Sequence, residues 1–229
     1  MVKKCMDDFL CEEPNEQYAF IMSIIDMVDS MGAGVGEHAT RTSLYSQIIA
    51  EELVNLGFYT DEIDDDFITK LFYSAPLHDI GKVYIPDKIL NKPGPLTNIE
   101  FDIMKKHAQV GAEIIDDMIN DASKDAKFKD LLAFARDIVL YHHEKWDGSG
   151  YPCGLSGYDI PLSARILAIS DVFDAISSKR VYKEPMPIED ALELIVSKSG
   201  THFDPRIVSA FLLAFDAIKE VLAEKSKIK

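Results

Sequence analysis

Apolar residues recur at a helical interval through nearly the whole of this 229-residue chain. Over residues 16–31, Phe20, Ile21, Ile24, Ile25 and Val28 fall on one face of a helix. Period-two strand patterns are weak. The spacing predicts further helices from about His38 to Leu56, stopped at Gly57, and over 65–80. Pro76 kinks or breaks the latter, because it lacks an N–H and its ring clashes with the preceding turn. A capping box at Thr97–Glu100 opens another helix, which runs to about Ile119. One more ends near His142, one covers 163–178, and two close the chain near 188–198 and 205–225. The stretch VYIPDKILNKPGPL (83–96) and residues 146–161 read as loops, and NDASKDAKFKD (120–130) as a loop and helix start. Nothing reads as a repeat, a low-complexity segment or a linker. Helices without sheets bury their apolar faces only against one another, so the expected fold is an all-α bundle. At 47% hydrophobic residues the chain can fill a substantial core, and its length suits one large domain, alone or with a small appendage.

Several classes are set aside. No run reaches the roughly 18 apolar residues that a membrane span needs. The opening MVKKCMDDFLCEEP is too briefly apolar for a secretory signal. Cys5, Cys11 and Cys153 are odd in number and lack CxxC spacing, which reads as free thiols in a reducing cytosol. Cys153 has no basic neighbour to activate it. A formal net charge of -15 repels nucleic-acid polymers. A small anionic ligand stays compatible where metals or a few cations supply positive charge.

The informative residues are polar ones in apolar settings. Asp171 interrupts ARILAISDVFDAI, where a carboxylate is costly unless it is paired or bound to a cation. Asp174 follows three residues later, near the same face. A solvent-facing side is the plain alternative. His78-Asp79 ends LFYSAPLHDIGK. Such a pair either satisfies itself by a hydrogen bond or binds one metal, with the second carboxylate oxygen bridging to another. His107 stands alone in MKKHAQVGAEI, and His38 opens HATR; alone, each is more often structural. In YHHEKWDGSGYP (141–152), His142 and His143 point about 100° apart if helical. Together, five of the six histidines stand at helix ends or within apolar helices. Imidazole and carboxylate donors suit iron or manganese, whereas zinc more often recruits cysteine or a four-ligand site. The seven candidates, His38, His78, Asp79, His107, His142, His143 and Asp171, are too many for one tetrahedral ion. They fit a two-metal centre of the kind that hydrolyses phosphoesters.

With HDIGK (78–82), HHEKWDGSGYP (142–152), PLSARILAISDVFDA (161–175) and SGTHFDP (199–205), the chain resembles the HD-GYP domain of the HD superfamily of metal-dependent phosphohydrolases. That bacterial signalling family hydrolyses cyclic di-GMP. The resemblance covers roughly residues 35–215 and implies an HD-type helical bundle with a long GYP loop. It divides the chain into an N-terminal helical extension, 1–34, and the phosphodiesterase domain, 35–229. It implies two divalent metals, iron or manganese, held by the seven residues above, with Asp79 bridging. His38 and Arg41 match the leading HxxR, and Lys82 matches HDxGK. Lys82 or Asp174 would handle protons beside Asp79. Arg180 and Lys183 match phosphate-binding cations. Gly150, Tyr151 and Pro152 are the GYP triplet, with Gly150 and Tyr151 placed towards substrate.

The implied reaction is attack by a metal-activated hydroxide on cyclic di-GMP, giving pGpG and then GMP. The alternatives are the mixed GMP–AMP cyclic dinucleotide, a mononucleotide, or a weakly catalytic signalling module. The GYP loop would meet a diguanylate cyclase or other signalling proteins. Three-metal members of the family carry a glutamate one turn before the HxxR histidine. Gly34 stands there, and Glu37 would face about 100° away on a helix. Two metals and a looser, glycine-rich entrance at 32–36 are therefore expected. The polar stretch at 120–130 should lengthen a loop without moving the ligands, and His202 should be structural.

Overall fold

The computed structural model describes residues 19, 21–24, 36–122, 125–178 and 185–225, without the side chains of 36, 37, 224 and 225. The described residues form helices and no strand beyond one isolated bridge, Ser199 to Phe203. The helices are α1 Gly36–Asn55, α2 Asp65–Ser74, α3 Asp87–Leu90, α4 Asn98–Met104 and α5 Lys106–Asp121. They continue as α6 Ala126–Tyr141, α7 Leu162–Ser177, α8 Ile188–Ser197, α9 Pro205–Leu213 and α10 Phe215–Lys225. The all-α expectation holds.

Helix α1 runs through the centre. Its Tyr45, Ile49 and Leu53 pack with Ile166, Ile169 and Phe173 of α7, Ile207 and Phe211 of α9, and Ile218 of α10. A second core cluster joins Leu77 and Ile80 to Ile115 of α5 and to Leu132, Ala135 and Val139 of α6. Ile21 and Ile24 are buried in that same cluster. Apart from residues 19 and 21–24 the expected extension, including Gly34, lies outside the described residues, and so does the expected entrance up to residue 35, while Gly36 opens α1. Phe173, between Asp171 and Asp174, belongs to the first cluster. Leu77 and Ile80, bracketing His78-Asp79, belong to the second. The polar residues of interest are thus held by large buried neighbours on both sides.

The chain breaks at Pro76 as expected. Helix α2 stops at Ser74, and two 3-10 turns follow, Ala75–Leu77 and Ile80–Tyr84. His78 and Asp79 sit between them, on a turn rather than on a helix end. Two other breaks carry no proline or glycine signal. The expected helix from Thr97 divides at Lys105 into α4 and α5, although both arms of the Thr97–Glu100 capping box form. The Met104 carbonyl there accepts a hydrogen bond from the His107 ring, at 2.7 Å. The last expected helix divides at Ala214, where ψ falls to 1°. Helix α3 is a short turn inside the expected loop 83–96.

Gly81 explains how the 3-10 turns reach α5. A Cβ on Gly81 would lie 2.0 Å from the His107 carbonyl oxygen and 2.6 Å from the Gly111 nitrogen. No side chain fits there, so the turn lies directly on α5 beside His107.

Candidate metal centre

Four helices and the 3-10 turns bring all seven histidines and aspartates named from the sequence into one cluster. His38 comes from α1, His78 and Asp79 from the turns, and His107 from α5. His142 caps α6, His143 follows it, and Asp171 lies on α7. Donor atoms of Asp79, His107, His142 and His143 lie within 4.8 Å of one another, and so do those of His38, His78 and Asp79. Asp79 belongs to both groups. Its Oδ1 is 3.4 Å from His107 Nε2, and its Oδ2 is 3.2 Å from His78 Nε2. Asp171 Oδ1 is 3.3 Å from His38 Nε2 and 3.9 Å from His78 Nε2.

The rings are oriented from behind. His78 Nδ1 donates to the Ala75 carbonyl at 2.8 Å, and His107 Nδ1 to Met104 at 2.7 Å. His142 Nδ1 donates to Ile138 and Val139 at 3.1 and 3.0 Å. A carbonyl only accepts, so each Nδ1 carries a proton and each Nε2 is turned towards the centre. Metal-binding histidines are commonly held this way. Nε2 of His107 and of His142 are buried and find no hydrogen-bond partner among the described residues. Buried polar atoms without partners are rare, and a bound cation would account for these two.

The electrostatics agree. Burial pushes the His143 imidazole down to about 3 and holds His107 and His142 below the usual range, with neighbouring histidines adding to it. These rings are therefore neutral, the form that binds a metal. Burial opposes ionisation of Asp79, but Lys82 and His78 outweigh it and hold the carboxyl well below its usual range. Lys82 Nζ lies 2.5 Å from Asp79 Oδ2. His38 is the exception. Burial lowers it, yet its bonds to Asp171 and Asp174 raise it to about 9. A divalent ion at this set would take over the charge balance that the His38 proton now provides. Nitrogen and carboxylate oxygen are the only donors in the cluster, so the residues fit metal binding.

Asp174, expected to handle protons, sits in a network of its own. Its two oxygens are taken by Arg41 Nε at 2.5 Å, Arg41 Nη2 at 2.9 Å and His38 Nδ1 at 2.7 Å, and Ser178 donates to Oδ1 at 3.1 Å. It is buried. One helical turn from Asp171, it faces the back of His38 instead of the open centre, so it orients that ring. Gly150, expected to contact substrate, has a packing reason to be glycine. A Cβ there would lie 2.4 Å from the Lys145 nitrogen and 2.5 Å from Glu144 Cα. Its absent side chain lets the GYP loop close onto the backbone after the paired histidines. Tyr151 does face the cluster side, with its ring 4.7 Å from that of His143. Arg180 and Lys183 lie outside the described residues, and so does the Glu37 side chain.

Three residues inside the quoted motifs were not singled out from the sequence. Glu144, buried, accepts from the Cys153 and Gly154 nitrogens at 2.6 and 3.0 Å and ties the GYP loop shut. Arg165 and Asp204 form a buried pair at 2.6 Å. Arg165 Nε also holds the Ile160 carbonyl at the end of the loop, at 2.9 Å. For Arg165 and Asp204 the signal available was their charge beside apolar neighbours, as it was for Asp171, whereas Glu144 lies between His143 and Lys145 and carried no such signal. The SGTHFDP segment is scaffold as well. Trp146 and Asp147 of the loop donate backbone bonds to the carbonyls of His202 and Thr201, at 3.0 and 2.9 Å. His202, expected to be structural, stacks on Phe203 with ring centroids 4.2 Å apart.

Residues 23–207 match the HD domain family. A probable cyclic di-GMP phosphodiesterase of Vibrio cholerae is 44% identical over 86% of this chain and 44% of its own length. A cyclic di-GMP phosphodiesterase of Thermotoga maritima is 38% identical over 96% of this chain and 55% of its own. A 3'3'-cGAMP-specific phosphodiesterase of Vibrio cholerae is 41% identical over 86% and 34%. The chain spans about half the length of these relatives, or less. Among solved structures, an HDG"Y"P protein of Bdellovibrio bacteriovorus superposes with a TM-score of 0.59. It is 19% identical over 81% of this chain and 52% of that one, and it shares the fold. The chain belongs to the HD domain family. No helix among the described residues is long and apolar enough to cross a membrane.

Proposed function

We propose that this chain is a metal-dependent phosphodiesterase that opens cyclic di-GMP to pGpG and cuts it further to GMP, acting in the cytoplasm. The observation that carries the reading is Asp79, one carboxylate shared between two groups of histidine donors. That arrangement suits two ions bridged by a single residue. His78, His38 and Asp171 would hold one ion, and His107, His142 and His143 the other, with iron or manganese favoured by the nitrogen and oxygen donors. When bound, the ions would polarise the phosphate and activate water. The chain's own residues do the rest. Four rings are fixed by their Nδ1 bonds, Asp174 and Arg41 align His38, and Glu144 holds the loop that presents Tyr151 to the substrate. Lys82 carries the cation nearest Asp79 and is placed to offset charge on the phosphate. Arg180 and Lys183 would add phosphate contacts. The exposed side of the GYP loop, with Tyr158 at 61% exposure, offers a surface to signalling proteins such as a diguanylate cyclase.

The cGAMP-specific relatives support a second substrate, the mixed GMP–AMP cyclic dinucleotide. Anaerobic turnover of both nucleotides after loading with iron or with manganese, with product analysis and metal counting, tests the reading. The expected result is two metals per chain and preferential cleavage of cyclic di-GMP to pGpG. Hydrolysis of neither nucleotide by the loaded protein would overturn it.

A further inference from the structure

We propose that Phe101 is the platform on which a nucleobase of the substrate stacks, and that it sets substrate affinity. The proposal rests on the cyclic-dinucleotide reading above and deepens it. Helix α4 has no buried residue, so Phe101 contributes nothing to either core cluster. The helix stands on its capping box and on the Lys92–Glu100 pair at 2.5 Å. Its position follows from the site, because the Met104 carbonyl at its end holds the His107 ring.

From the metal cluster outward, aromatic rings form a continuous series. His143 lies 5.0 Å from His107 and 4.0 Å from His142, and Tyr151 lies 4.7 Å from His143. Phe101 meets Tyr151 edge to face at 6.1 Å and is 46% exposed. The series begins at the proposed ligands and ends at an open ring on the rim. Lys105, paired with Asp102 at 2.6 Å, places its ammonium 5.4 Å from the centre of that ring. A nucleotide whose phosphate sits at the cluster extends its base outward by one sugar. An open aromatic ring beside a cation is the surface that a purine takes up, since stacking needs only a π-face. Tyr151 is flanked by His143 and by Phe101 and lies nearer the cluster. The outer ring is the one left for the base.

The test compares the metal-loaded wild type with Phe101→Ala and Phe101→Trp. With cyclic di-GMP, Phe101→Ala should raise KM about 10-fold or more and leave kcat within about twofold, the size expected for one lost stacking contact. Metal content should stay at the wild-type level. Phe101→Trp should restore KM. Its added fluorescence, measured against Trp146 of the wild type, should be quenched by a slowly hydrolysed phosphorothioate analogue of cyclic di-GMP. An unchanged KM in Phe101→Ala, while the wild type turns over, would overturn the proposal and leave the functional reading intact. So would a fall in kcat alone, which would make Phe101 a prop for Tyr151. A wild type that neither binds nor cleaves a cyclic dinucleotide would remove both.

Discussion

The two halves of the candidate centre are built differently. On the side of His78, Asp79 and His107, position comes from close packing. Gly81 lies on α5 with no room for a methyl group, and Leu77 and Ile80 anchor the turn in the core. On the side of His142 and His143, position comes from hydrogen bonds. Glu144 ties down Cys153 and Gly154, and the backbone of 201–202 holds Trp146 and Asp147. A packed crossing has no intermediate state, because a methyl group either fits or displaces backbone. A hydrogen-bonded loop can lose one tie and keep the rest. The first half should therefore fail as a unit, and the second by degrees.

The largest effect is expected at Asp79, which stands in the packed half but whose donor atom also groups with those of His142 and His143. Asp79→Ala removes the one carboxylate common to both donor groups. Turnover should fall below detection and metal content should drop, by mass spectrometry of the reconstituted protein. Retention of both metals at wild-type rates would mean that the halves are independent. Gly81→Ala tests the packed half alone. Its Cβ would meet main-chain atoms of His107, which cannot swing aside. Overpacking of this kind typically costs about 1–3 kcal/mol, more where backbone must move. The melting temperature should fall clearly and metal should be lost together with it. A variant of wild-type stability and metal content would show that the crossing is looser than the packing argument requires.

Glu144→Ala probes the hydrogen-bonded half. Losing an acceptor for two backbone N–H groups should cost about 1–3 kcal/mol. Amide hydrogen exchange should speed up at Cys153 and Gly154 while the α5–α6 core stays protected. Glu144→Gln, which keeps an acceptor oxygen, should recover most of that protection. Equal acceleration across α5 would show that loop and core unfold together, against the proposed division.

The same contrast explains what could be read from the sequence. The histidines and Asp171 were legible because a polar side chain within an apolar helix is expensive without a purpose. The break at Pro76 was legible because proline acts locally. The breaks at Lys105 and Ala214 were not, since nothing in either residue opposes helix. The need for glycine at 81 and 150 depends on which backbone crosses there, a tertiary fact. For Asp174, helical spacing showed only that it lies near Asp171. Its partners, Arg41 and His38, stand 133 and 136 residues away. The ligand residue types could thus be read one at a time, whereas the residues that aim them could not.

The smallest expected effect also belongs to the hydrogen-bonded half and concerns pH. Burial, reinforced by Lys145, pushes His202 down to about 4 from an ordinary 6.5. The folded protein therefore keeps this ring neutral where the unfolded chain would already be protonated. Between pH 6.5 and 4 the unfolded state binds more protons, so stability falls as pH falls. Above 6.5 the ring is neutral in both states and the contribution is constant. His202 is only partly buried, so solvent screening reduces the effect to about 1 kcal/mol at most. The proposed ligand histidines also titrate, so the informative quantity is a difference between variants. In metal-loaded protein, His202→Gln should flatten the decline in melting temperature between pH 6.5 and 5 relative to wild type. Because the His202 carbonyl accepts the Trp146 N–H, wild-type amide exchange at Trp146 should also rise across that interval and that of the α5 core should not. Parallel curves for the two proteins, or an equal response in α5, would show that the acid sensitivity of the loop lies in another group.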